Sequence, residues 1–243
     1  MRKQVQGYEI DLTSFNEALE ISKSAIQKGQ NLHIVTINPE MIELAQKNAE
    51  FSDILKSAEL VMPDGFGIKL ALKLKGINQE HIRGVDFSRE LIKICAENSY
   101  KLALLGAKEE VVTAVRDKLT DEFKNLNIIF CQNGYFENED ETLTALAAAQ
   151  PQVVLVALGA PRQEMFISKL KTKLKGAVLI GVGGSFDVFA GNVKQAPVAW
   201  RKSGFEWLYR TIKQPERFKR IFPTLPRFLF KGIIEAVKEL MVK

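Results

Sequence analysis

Residues 58–71 read AELVMPDGFGIKLA. Leu60-Val61-Met62 form a short apolar run that stops at Pro63, and Asp64-Gly65 lead into apolar residues at helical spacing. A buried strand emptying directly into a helix is one step of a strand–helix–strand repeat. The same step recurs on both sides. Upstream, residues 5–12 (VQGYEIDL) alternate as a short edge strand or hairpin. FNEALEISKSAIQKG carries helical periodicity and stops at Gly29, and LHIVTI is a buried-type strand. Pro39 then suits the first turn of a helix, with Asn38 as its cap. Downstream of the helix after Asp64, another opens near Asp86, which is the expected cap. KLALLG leads to EEVVTAVRDKL, and NIIFC leads to NGYF and a helix through ETLTALAAA. QVVLVAL leads to GAPRQE and a helix, and AVLIGV ends the series at GGSFD. This alternation predicts an α/β fold: a mainly parallel, Rossmann-like sheet flanked by helices.

In such sheets ligands gather outside the carboxyl ends of the strands. In chain order those ends carry Thr36 and Asn38, Asp64, Gly106, Asn133 and Tyr135, Gly159 to Gln163, and Gly183-Gly184-Ser185. The set is polar and glycine-rich, as a binding site requires.

The chain has 243 residues, enough for one large domain or one domain with an appendage. No apolar run of about 18 residues reads as a membrane span. MRKQVQGYEIDL has no apolar stretch behind its basic residues, so it does not read as a signal peptide, and the expected location is the cytoplasm. Cys95 and Cys131 fall in a helix and a strand, as structural thiols do. The net charge of +5 is uneven: residues 195–243 carry a net +7 and residues 1–194 a net −2. Both tryptophans, Trp200 and Trp207, lie in the basic part. The division expected is an α/β core, 1–194, and a basic, aromatic-rich helical appendage, 195–243, suited to an anionic partner. Arg210, Lys213, Arg217 and Arg220 recur there at helical spacing, but Pro215 interrupts, so two short helices are expected. Such a segment can lie on an anionic membrane, clamp a phosphate, or dock on the core with its basic face in water. No nucleic-acid-binding motif accompanies the charge.

Asp64 has two readings that do not exclude each other. It can cap the helix that follows, or stand as a general base at a strand end. GVGGSFD (181–187) places small residues after a strand, where backbone amides can approach a diphosphate. Its spacing is not that of a dinucleotide fingerprint. In GAPRQE (159–164), Arg162 reads as a solvated first-turn residue, whereas Gln163 can donate to a sugar hydroxyl or a phosphate. Arg83 can pair with a phosphate or simply lie at the surface. His33 alternates within a strand and reads as structural. No His, Cys and carboxylate grouping has metal spacing, and neither GxSxG nor a Cys–His pair is present.

Together these segments resemble the WecG/TagA/CpsF family of bacterial glycosyltransferases. The likeness is ordered along nearly the whole chain. It runs through TINPEM near 36, MPDGFGI at 62–68, RGVDF at 83–87, NGYF at 133–136 and ALGAPRQE at 157–164. It continues through GVGGSFDVFAG at 181–191 and APVAWRKSGFEWLYRTIKQPERFKR at 196–220. The resemblance implies an inverting, metal-independent enzyme without a cofactor. Such an enzyme moves N-acetylmannosamine or a related sugar from a UDP donor to polyprenyl-diphosphate-linked N-acetylglucosamine. The implied setting is cell-surface polymer synthesis, such as a teichoic acid linkage unit, at the inner membrane face. By motif, Asp64 matches the family's proposed base. Thr36, Asn38, Arg83 and Gln163 match polar residues of its cleft. Tyr135 and Asp187 match positions implicated in holding uridine, with Gly183, Gly184 and Ser185 as the nucleotide-binding turn beside Asp187. Arg210, Arg217 and Arg220 match tail arginines that meet the diphosphate when the appendage folds over the site. Arg162 stands where the family commonly has lysine.

Two other readings stay open on sequence alone. One is a nucleotide-dependent oxidoreductase on the same kind of sheet, although LHIVTINPE lacks the fingerprint. The other is a non-catalytic regulator that binds membranes through residues 195–243. A homo-oligomer is compatible with each.

Overall fold

The computed structural model describes residues 1–80, 82–197, 200, 206–213 and 218–241. Its first strands, β1 (Arg2–Val5) and β2 (Tyr8–Asp11), form the expected hairpin, turning at Gln6-Gly7 with both residues at positive φ. The hairpin stands outside the main sheet and covers its edge. Asp11 accepts a hydrogen bond from Val61 N–H, and Arg2 donates to the carbonyls of Ala58 and Glu59. An exposed strand edge is thereby blocked by side chains rather than by another strand.

The main sheet has six strands: β3 (Leu32–Ile37), β4 (Leu60–Pro63), β5 (Lys101–Gly106), β6 (Asn127–Gln132), β7 (Val153–Ala157) and β8 (Val178–Gly181). They lie in the order β4-β3-β8-β7-β5-β6, and every pairing is parallel. Alternate residues enter opposite cores. Ile34, Leu102, Leu104, Val153 and Leu155 face one; Val35, Ala103, Leu105, Val154 and Val156 face the other. Burial on both faces is why these strands read as unbroken apolar runs.

Helices α1 (Phe15–Gln27), α5 (Gly84–Asn98), α6 (Glu109–Glu122) and the short α9 (Ser185–Phe189) cover the first face. On the other lie α2 (Pro39–Ala45), α3 (Ala49–Ser57), α4 (Gly65–Leu74), α7 (Glu139–Ala148) and α8 (Arg162–Lys171). The segment after Pro39 is two helices, because Asn48 ends the first run and caps the next by accepting from Phe51 N–H.

The basic end forms α10 (Glu206–Lys213) and α11 (Phe218–Met241). The second is 24 residues long and continues through Pro223 and Pro226, so the expectation of two short helices holds only for the first. Both prolines fall in its first nine residues and are exposed, where a carbonyl that loses its helical partner can be hydrated. Phe228 anchors α11: it is fully buried against α2, α4 and the hairpin. Polar bonds fix the rest. Gln6 donates from its side chain to Phe228 O and from its backbone to the Glu235 carboxylate, which also pairs with Lys75. Lys231 reaches Glu43 and Gln46.

Cys95 is buried, with its thiol pushed up to about 12 by burial, and Cys131 is half-buried; both are free. His33 is buried in β3, and burial lowers it to about 4, with Lys171 adding to the effect. An imidazole held neutral when folded makes stability fall as pH drops from 6.5 toward 4, because the unfolded chain binds the proton first. Relative to wild type, His33→Leu is expected to lose about 3 kcal/mol less between those pH values, measured by urea denaturation.

Candidate active site

A cleft of about 940 Å³ opens over the carboxyl ends of β4, β3, β8, β7 and β5. Its floor is Thr36, Asp64, Ala107, Ala157 to Pro161 and Gly181 to Ser185, with Asn38, Arg83, Gln163 and Asp187 around them. Pro223, Thr224, Leu225 and Arg227 of α11 complete a wall. Gly67 lets that helix close in: a β-carbon there would collide with Pro39 and crowd Leu225.

Each strand-end residue is set by its own junction. Asp64 occupies the N-cap position of α4, yet its side chain makes no cap hydrogen bond. The capping role expected for it is therefore not the one it plays. Its backbone N–H instead donates to Ile37 O at 2.9 Å, tying β4 to β3, and the half-buried residue lines the cleft. Asn38 caps α2 as expected, its Oδ1 accepting from Met41 N–H at 3.1 Å. That leaves its amide nitrogen as the donor it can offer to the cleft. Thr36 packs against Gly84, where a β-carbon would lie 3.3 Å from the threonine hydroxyl. At α5 the cap position belongs to Arg83, not Asp86. Asp86 sits in the first turn and accepts from Arg83 Nη1 at 2.5 Å, which holds the mostly buried guanidinium at the cleft. A carboxylate three residues on is better placed to bind that arginine than to cap.

Gln163 is committed internally. Its Oε1 accepts from the backbone N–H groups of Gly159 and Gly183, both at 3.1 Å, and its Nε2 donates to Glu164 at 2.7 Å. It thus bolts the β7–α8 turn to the β8–α9 turn. The Gly183 amide is consequently not offered to a ligand, and the Ser185 amide donates to Val182 O. The diphosphate reading of this turn rests instead on the Gly184 amide and the Ser185 hydroxyl. Arg162 is not simply solvated: its Nη1 donates to Gly134 O at 3.0 Å and its guanidinium stacks 4.7 Å from the Phe136 ring. It orders the loop carrying Tyr135.

Tyr135 itself lies outside the cleft lining, 72% exposed at the end of β6. Arg217 lies outside the described residues, as do the side chains of Arg210 in α10 and Arg220 in α11. Arg227, one heptad beyond Arg220, was missed; extending the basic spacing by seven residues would have found it. Among the described residues, no three His, Cys, Asp or Glu side chains gather as a metal site.

A parallel sheet with a ligand-sized cleft at its strand ends is the plan of an α/β enzyme. Comparison with known sequences specifies which kind. The profile of the glycosyl transferase WecG/TagA/CpsF family matches residues 3–241, and the chain belongs to that family. It is similar to N-acetylglucosaminyldiphosphoundecaprenol N-acetyl-beta-D-mannosaminyltransferases of three bacteria. The Bacillus subtilis (strain 168) protein is 37% identical, covering 90% of this chain and 84% of the relative. The Bacillus spizizenii protein is 34% identical, covering 93% and 87%. The Staphylococcus aureus (strain MW2) protein is 33% identical, covering 93% and 90%.

Proposed function

We propose that this chain transfers N-acetylmannosamine, or a closely related sugar, from a UDP donor to polyprenyl-diphosphate-linked N-acetylglucosamine, with inversion and without a metal. The observation that carries the reading is the position of Asp64, at the carboxyl end of β4 and lining a cleft with Thr36, Asn38 and Arg83. Asp64 takes the proton from the acceptor hydroxyl as that oxygen attacks the anomeric carbon. The bond from that carbon to the UDP oxygen breaks, and its electron pair leaves with UDP. The proton on Asp64 then passes to solvent. Inversion needs this single displacement and no covalent enzyme intermediate. Charge developing on the leaving diphosphate is met by Gly184, Ser185 and arginines, to which Arg210, Arg217 and Arg220 are assigned.

The appendage is read as the contact with the anionic inner face of the membrane. Its support is α11, which exposes Phe222, Phe230, Ile233, Val237 and Met241 beside Arg227, Lys231 and Lys238. No helix among the described residues is long and apolar enough to cross a membrane.

UDP release is the test, measured with UDP-N-acetylmannosamine and a short-chain polyprenyl-diphosphate-N-acetylglucosamine in EDTA. Acceptor-dependent release is expected. Release from no UDP-hexose at all, alongside intact liposome binding, would move the reading to the non-catalytic regulator.

A further inference from the structure

Glu164 is 2% exposed and Gln163 6% exposed, side by side in the first turn of α8. Glu164 Oε1 accepts from Gln163 Nε2, while Glu164 Oε2 is buried without a hydrogen-bond partner among the described residues. Behind them Gly181 has no side chain; a β-carbon there would collide with Gln163 and come within 2.8 Å of Glu164 Oε1. The orientation of the Gln163 carboxamide is therefore forced. Two backbone N–H groups need its oxygen, so its nitrogen must face Glu164, and Glu164 must accept.

We infer that Glu164 is a positioning residue which, as an uncharged carboxylic acid, fixes the Gln163 carboxamide and through it the two turns that frame the donor diphosphate. The inference rests on the UDP reading above. An uncharged Glu164 suits both sides of its surroundings. A buried carboxylate with an unpartnered oxygen carries a large desolvation cost. It would also repel a dianionic group arriving at the adjacent Gly183–Ser185 turn. The charged and titratable groups on the elements packed against α8 do not change this. They are His33 on β3, Glu50, Asp53 and Lys56 on α3, and Glu139, Asp140 and Glu141 on α7. None contributes to the Glu164 shift. Burial pushes this carboxyl up to about 7, opposed by the hydrogen bonds from Gln163 and its own backbone. The acid is thus uncharged below about pH 7 and becomes charged above it.

The test is calorimetric UDP binding at pH 6.5 and 8.5 with wild type, Glu164→Gln and Glu164→Leu. Ionisation of UDP itself is common to all three, so ratios between proteins are read. Relative to Glu164→Gln, wild type is expected to lose about tenfold in affinity between the two pH values, since only wild type can become charged there. Glu164→Gln keeps an acceptor for Gln163 and retains wild-type affinity at pH 6.5. Glu164→Leu removes that acceptor and binds about tenfold more weakly at both pH values. Identical pH dependence in wild type and Glu164→Gln overturns the inference while leaving UDP binding, and so the transferase reading, intact. That arm holds even if the leucine variant fails to fold. Absence of UDP binding by wild type overturns the donor reading and this inference with it.

Discussion

Asp64→Asn is expected to lower acceptor-dependent UDP release about 10²–10⁴-fold, the usual cost of removing a general base. The substitution is nearly isosteric, and the side chain it replaces makes no cap hydrogen bond, so the start of α4 should hold. Asparagine is itself a good N-cap residue, and the fold should be retained, as denaturant titration would show. Affinity for UDP should be unchanged, because the base acts on the acceptor hydroxyl and not on the nucleotide. The pairing of lost turnover with retained UDP binding identifies the role. Equal turnover in both proteins would leave a transferase whose base lies elsewhere in the cleft. Loss of UDP binding together with turnover would make Asp64 a structural part of the donor site.

Phe228→Ala is expected to cost about 3–5 kcal/mol by denaturant titration, from the removed ring and the cavity left behind. Phe228 is completely buried, while much of the rest of α11 is held by polar bonds, among them the partly exposed Lys231–Glu43 pair, which contributes little. The loss should therefore fall first on the helix and only then on the sheet. Hydrogen exchange should speed up across residues 222–236 before the strands respond. Pro223, Thr224, Leu225 and Arg227 would leave the cleft wall with it, so substrate KM should rise even where the sheet stays folded. A cost below about 1 kcal/mol would show that the polar bonds of Gln6, Lys231 and Glu235 carry the attachment instead.

The sheet was legible because its strands are buried on both faces. LHIVTI, KLALLG and VVLVA are apolar without alternation, and each is followed by a turn and a helix. The cleft was legible for the same reason: strand ends in a parallel sheet converge. Thr36, Asn38, Asp64, Arg83, Gln163, Gly183, Gly184, Ser185 and Asp187 all line one cavity although they span 152 residues of chain. What escaped was partnership. That Gln163 spends its oxygen on two amides 24 residues apart depends on how two loops meet, which no local pattern records. Arg162 reads as a surface charge until Phe136 lies beneath it. Pro223 and Pro226 read as helix breaks, yet α11 passes through them, because Phe228 secures the helix from below. Propensity yielded there to packing.

Gln6, in the first turn of the chain, grips both Phe228 O and Glu235 of α11, some 220 residues later. The helix that walls the cleft is also made after every strand of the sheet. During synthesis a finished sheet therefore precedes a finished pocket, and the N-terminal hairpin waits for its partner. A tag or insertion in residues 1–8, far in sequence from any cleft residue, would then loosen that wall while leaving the strand-end residues in place.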